Sequence, residues 1–162
     1  MPNKILQIAE TPITWKSASG TRLFTPASLA SNAGHQGAQH DLSTTARARR
    51  FAWRARCKFG DTPVVGEVIE IYLKYSDGTY PDNSDGTGDI AISSEDKLAN
   101  ATPIGCIVVD QADITVFMVG SGTIEIDHQF ISPIFFNRTT AALSSTATDM
   151  GFELTPIVDE IQ

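Results

Sequence analysis

Residues 47–59, Arg47-Ala48-Arg49-Arg50-Phe51-Ala52-Trp53-Arg54-Ala55-Arg56-Cys57-Lys58-Phe59, alternate between two kinds of side chain. Arg49, Phe51, Trp53, Ala55, Cys57 and Phe59 occupy one phase of a two-residue period, and Arg50, Ala52, Arg54, Arg56 and Lys58 the other. Successive side chains of an extended strand point to opposite faces, so the aromatic set can enter a core while the cationic set faces out. The stretch predicts a β-strand. It also gathers charge: Arg47, Arg49, Arg50, Arg54, Arg56 and Lys58 are six of the twelve Lys and Arg residues, with no acid between Asp41 and Asp61.

Around this stripe the chain is acidic. After Phe59 there are seventeen acids against three bases (Lys74, Lys97 and Arg138), and the net charge is −7. Phosphate affinity needs a net positive surface, so a nucleic acid is not an expected partner, whereas the stripe suits an acidic protein. The alternative is that Arg54 and Arg56 pair across the sheet with Glu67 and Glu70 on the next strand. At 162 residues the chain can bury a core without metal or disulfide staples. No apolar run approaches the roughly 20 residues of a membrane span. Met1 to Gln7 lack the pattern of a secretory signal, so synthesis in the cytoplasm is expected. Cys57 and Cys106 lie in apolar runs away from any second pair, and both read as buried free thiols.

Working outward, Thr62-Pro63 and Gly66 punctuate a turn, after which Glu67–Tyr75 resumes alternation; the two segments suggest a hairpin. Ser76–Asp89 is polar and rich in Asp-Gly turns, a long surface loop. Ile104–Val109 and Ile114–Val119 read as buried strands, Gly120-Ser121-Gly122 as a turn, and Phe130–Asn137 as a strand that Pro133 places at an edge or a bulge. Ala141–Ala147 and Gly151–Pro156 close the series. About eight short strands without helical periodicity predict an all-β fold, an antiparallel β-sandwich or jelly roll, over residues 46–162.

Residues 1–45 differ. Small and polar residues dominate, and isolated apolar residues such as Trp15, Leu23 and Phe24 are spaced irregularly, which predicts an extended N-terminal arm anchored on another surface, or else a short edge strand with a leader.

No cluster of residues specifies a reaction. His35, His40 and His128 lack the context of a nucleophile and its base, and Glu95-Asp96 and Asp159-Glu160 are neighbours that a strand would point apart. Asp77, Asp82, Asn83, Asp85 and Asp89 offer oxygen ligands but miss the spacing of a calcium loop, leaving a solvated loop as the simpler reading. Trp15, Trp53, Tyr72, Tyr75 and Tyr80 could form a sugar-stacking platform; core aromatics are the commoner explanation. No catalytic residue, metal ligand or cofactor is assigned.

In order along the chain, SLASNAGHQGAQHDL, RARRFAWRARCKF, TPVVGEVIEIYLKYSDGT, PIGCIVVD and LSSTATDMGFELTPIVDE resemble a group of small structural proteins of tailed bacteriophages. In that group, β-sandwich or jelly-roll subunits cement or decorate the capsid. The resemblance runs from about Ser28 to Glu160 and implies a non-enzymatic virion protein on the capsid exterior. Its implied partners are the major capsid protein and further copies of itself as a dimer or trimer, with neither nucleic acid nor membrane. The alternative is a tail-associated structural or glycan-binding adhesion protein. On the leading reading the candidate partner contacts are Arg47, Arg50, Arg54, Arg56 and Lys58 on the basic strand, with Trp15, Leu23 and Phe24 as anchors of the arm.

Overall fold

A computed structural model describes residues 5–17, 22–44, 48–83 and 85–161. Among them are eleven strands: β1 (Ile5–Ala9), β2 (Ile13–Trp15), β3 (Ala33–Gln36), β4 (His40–Asp41), β5 (Arg50–Cys57), β6 (Val68–Ser76), β7 (Ile90–Ile92), β8 (Thr102–Val108), β9 (Met118–Glu125), β10 (Phe130–Asn137) and β11 (Gly151–Ile161). They form two antiparallel sheets. The first runs β1-β11-β5-β9, with β2 following β1 along β11; the second runs β7-β3-β10-β6-β8, with β4 following β3 along β10. The protein is an all-β sandwich.

The alternation of the basic stretch is realised in β5, where Phe51, Trp53, Ala55 and Cys57 are buried. They join Phe152 and Leu154 of β11 in one core with Ile69, Ile71 and Leu73 of β6 and Ile131 and Phe135 of β10. Two sheets with complementary apolar faces bury the most surface by stacking, at roughly 25 cal/mol per Å² of apolar area removed from water. This stacking overturns the expected hairpin. β5 and β6 follow one another in sequence yet lie in different sheets, because β5 is flanked by β9 and β11 while β6 is flanked by β8 and β10.

The arm expected over residues 1–45 is instead built into the sandwich wherever it is described. β1 and β2 extend the first sheet, and β3 and β4 extend the second. Trp15 and Phe24 have no exposed surface; Trp15 Nε1 donates to Ala38 O at 2.7 Å, and the Phe24 ring meets Phe135 edge-on at 4.7 Å. Local spacing failed as a guide here because these residues pack against partners more than a hundred positions away. Of the three expected anchors only Leu23 is exposed.

The prolines follow one rule. Pro133 lies in β10, which is central rather than an edge, and its side toward β3 and β4 coincides with the break between those short strands. There its carbonyl accepts from Gly37 N–H, and no partner requires the N–H that proline lacks. Pro156 repeats the device in β11 at the break between β1 and β2, its carbonyl accepting from Glu10 N–H.

Gly120-Ser121-Gly122 is the middle of β9, not a turn. A Cβ on Gly122 would fall 2.7 Å from Trp53 Nε1, one on Gly105 of β8 2.6 Å from Trp53 Cζ2, and one on Gly120 2.5 Å from Cys106 O. The glycines let the two sheets close over the indole. Ile114–Val119 is likewise not a buried strand: β9 begins at Met118, and Ile114, Phe117 and Val119 are exposed. Cys57 is buried as expected, but Cys106 is exposed on β8.

Residues 85–89 and 93–101, on either side of β7, fold over the outer face of the six-stranded sheet. Ile92, Leu98 and Ala101 pack on Ile134 and Phe136, with Tyr72 beside them, as a second apolar cluster. Buried Lys74 ties this layer down: its Nζ donates to Gln36 Oε1 at 2.6 Å, to Asn83 Oδ1 at 3.4 Å and to Gly86 O. Among the described residues no helix is long and apolar enough to cross a membrane.

Candidate interaction face

The two sheets end up unlike on their outer sides. One is roofed by residues 85–89 and 93–101, while the outer face of the β1-β11-β5-β9 sheet carries no covering layer among the described residues. Strand alternation presents on it Arg50, Ala52, Arg54 and Arg56 from β5, Glu153 and Thr155 from β11, and Val119, Ser121, Thr123 and Glu125 from β9. Small side chains surround the arginines, and Arg54, Arg56, Gly151 and Glu153 line a concavity on this face, with Arg56 folded over Gly151.

Register decides what each cation meets. Arg54 sits between Glu153 and Ser121, Arg56 between Gly151 and Val119, and Arg50 between Ile157 and Glu125. Arg54 forms no hydrogen bond or ion pair with any described residue, although Glu153 lies across from it. The Arg56 guanidinium lies 5.1 Å from the centroid of the Phe117 ring, and Lys58 Nζ lies 4.4 Å from it and 3.9 Å from Asp149 Oδ1. A cation over an aromatic face is held without losing its charge, so Phe117 orders two members of the stripe. Arg50 reaches Gln7 Oε1 at 3.4 Å, and Arg49, at the strand's start, pairs with Asp127 at 2.6 Å. Arg47 lies outside the described residues.

The expected pairing of Arg54 and Arg56 with Glu67 and Glu70 does not occur, because those acids belong to the other sheet. Glu67 accepts from Thr140 N–H and Oγ1, and Glu70 accepts from Arg138 at 2.9 Å and from the Tyr72 hydroxyl. Arg138 also binds Glu95 at 2.6 Å, and these two acids raise its already high pKa.

The acids of the 77–89 loop and the histidines have structural partners. In the acidic loop, Asp77 accepts from the N–H groups of Thr79 and Tyr80, Asp82 from that of Tyr75, and Asp85 from Ser93. Asp89 accepts from Thr25 and contacts His35 Nε2 at 2.9 Å. Among the described residues no three of His, Cys, Asp and Glu converge as a metal site. His40 is buried, bonded to Arg22 at 3.1 Å, and held down at about 4 by burial and then by that cation; His128 stacks on Tyr75 at 4.1 Å. Burial pushes the Cys57 thiol up to about 12, which leaves it inert as a nucleophile.

The structure therefore brings Arg50, Arg54, Arg56 and Lys58 together on one open face, leaves Leu23 exposed elsewhere, and removes Trp15 and Phe24 to the core. Sequence reasoning missed Phe117 and Val119 at the rim of that face, taking them for core residues of a strand. Planar guanidinium forks among small residues suit carboxylates, which they engage by paired hydrogen bonds. No protein-family model and no curated protein matches this chain.

Proposed function

We propose that this protein is a non-enzymatic structural protein of a tailed-phage virion, a cement or decoration subunit that binds the major capsid protein lattice from outside and associates with further copies of itself. The observation that carries the reading is the bare cationic face: Arg54 has no partner among the described residues, and Arg56 and Lys58 are set on the Phe117 rim. A lattice offers the same acidic contact many times over, so modest affinity at each copy becomes firm attachment once neighbouring subunits are linked. The alternative of a glycan-binding tail adhesin needs a platform of exposed aromatic rings, whereas of the aromatics considered for one Trp15, Trp53 and Tyr75 are buried and Tyr80 is exposed.

The test is the copy number in purified particles, measured by quantitative mass spectrometry against the major capsid protein. A ratio near one per capsid subunit, or a simple fraction of it, supports the decoration reading. A handful of copies per particle moves the protein to the tail or a vertex, and its absence from particles overturns a virion role.

A further inference from the structure

The sheet edges of this sandwich are managed unequally. β8 carries Pro103 and a register shift opposite Ile71/Tyr72, and it abuts β9 at the Cys106–Gly120 contact. β7 is three residues long, and β2 is covered by the segment at Arg22, which exchanges backbone hydrogen bonds with Thr14 and Lys16. β1 has none of these protections. Its five residues, Ile5-Leu6-Gln7-Ile8-Ala9, include no charge and no proline, all are exposed, and no described backbone group pairs with their outer edge. Ile5 is 69% exposed, Leu6 40% and Ile8 36%.

This edge also leaves the body of the sandwich. β5 pairs with β11 only as far as Arg50↔Ile157, so beyond that point β11 has β1 alone beside it, a two-stranded ribbon. Such a ribbon is marginal in water by itself, and an uncharged edge is a template for another strand.

We propose that β1 pairs antiparallel with β1 of a second copy, joining the two sheets into one across a two-fold axis at Gln7. Self-complementarity selects this occupant. Pairing about Gln7 sets Ile5 against Ala9 and Leu6 against Ile8, apolar against apolar, with the Gln7 amide against itself at the centre, each accepting from its own Arg50. The nearest acids on that face, the two Asp159 residues opposite Gln7, are then three strand spacings apart, about 14 Å. That exceeds the Debye length of about 8 Å at physiological salt, so they scarcely repel. The contact is isologous and closes as a dimer. Five-residue strands bury less than the roughly 1,200 Å² of a standard interface, so the dimer forms with concentration and is reinforced where copies share a surface. This inference deepens only the self-association in the proposed function and needs no capsid.

Backbone phase supplies a clean variant. Glu10 N–H bonds to Pro156 O, so by alternation the N–H groups of Ile5, Gln7 and Ala9 face away from β11. Gln7→Pro therefore removes an outward N–H, and with it the side-chain contact to Arg50, and spares the β1–β11 ladder. The experiment is sedimentation equilibrium of the full chain from about 1 to about 500 µM, a range that brackets weak dimers. Wild type is expected to shift from monomer to dimer, and Gln7→Pro and Ile8→Lys to raise the dissociation constant at least about tenfold with unchanged circular dichroism. A wild type monomeric throughout, or folded variants that dimerise like wild type, overturns the proposal. If Gln7→Pro unfolds, Ile8→Lys decides. Either result leaves the particle copy number free to succeed or fail independently.

Discussion

Replacing Gly122 by alanine tests the central packing claim, that the two sheets close on Trp53 through strand glycines. The new methyl carbon would lie 2.7, 3.0 and 3.1 Å from three indole atoms, where ordinary contacts are about 3.5–4.0 Å. The ring would have to retreat by about 0.5–1 Å, yet its other side meets Gly105, where even a Cβ would lie 2.6 Å away. Gly122 has no left-handed backbone, so the effect is steric alone. Overpacking of this kind costs about 1–3 kcal/mol, and the two-sided confinement puts Gly122→Ala near the upper end. With an m-value of about 2–3 kcal/mol per M, the urea midpoint falls by about 1 M. Trp53→Phe removes the indole N–H, which is buried without a partner, and vacates the space the methyl needs. The double variant is therefore expected to be more stable than the sum of the singles by at least about 1 kcal/mol, a coupling typical of residues in contact. Urea unfolding followed by far-ultraviolet circular dichroism gives the cycle. Additivity within about 0.5 kcal/mol would refute the reasoning.

Other outcomes follow from the same structure. Lys74 is held at about 8 by burial, against opposing Asp85 and Asp82 carboxylates, while the unfolded chain keeps that proton to about 10.5. The unfolded state thus binds more protons between those values, so this group makes stability rise from pH 8 upward until Tyr72 and Tyr75, raised by burial, oppose it near pH 10. Thermal melts across that range should show the rise in wild type and its loss in Lys74→Met. His40 works with the same sign at acid pH: held at about 4 against 6.5, it makes stability fall as pH drops from 6.5 toward 4, a fall that His40→Gln should reduce. Arg54→Gln should leave folding stability within about 0.5 kcal/mol of wild type, since the side chain has no ion pair to lose and glutamine sets no second carboxylate against Glu153, while weakening capture by particles. Deleting residues before Asp41 should unfold the protein by circular dichroism, because Trp15 and Phe24 leave the core and β10 loses β3; a folded truncation would show that the later strands suffice.

The sequence by itself determined the class of fold. Two-residue alternation is a local property, and in 50–57 and 68–76 it was strong enough to assign both strands and their buried sides. It also determined that half of the cations share the stretch 47–59, because a run of charges needs no partner to be read. Tertiary structure decided everything that depends on which strand lies beside which. Only the closed sandwich separates Arg54 from Glu67 and Glu70, turns Gly120 and Gly122 from turn residues into close-contact points for Cys106 and Trp53, and draws Trp15 and Phe24 from an expected arm into the core. The bare face and the open β1 edge were invisible for the same reason. Both are defined by the neighbours a strand has, and strand pairing is a choice among partners far apart in sequence, made by the burial of whole faces rather than by any local pattern.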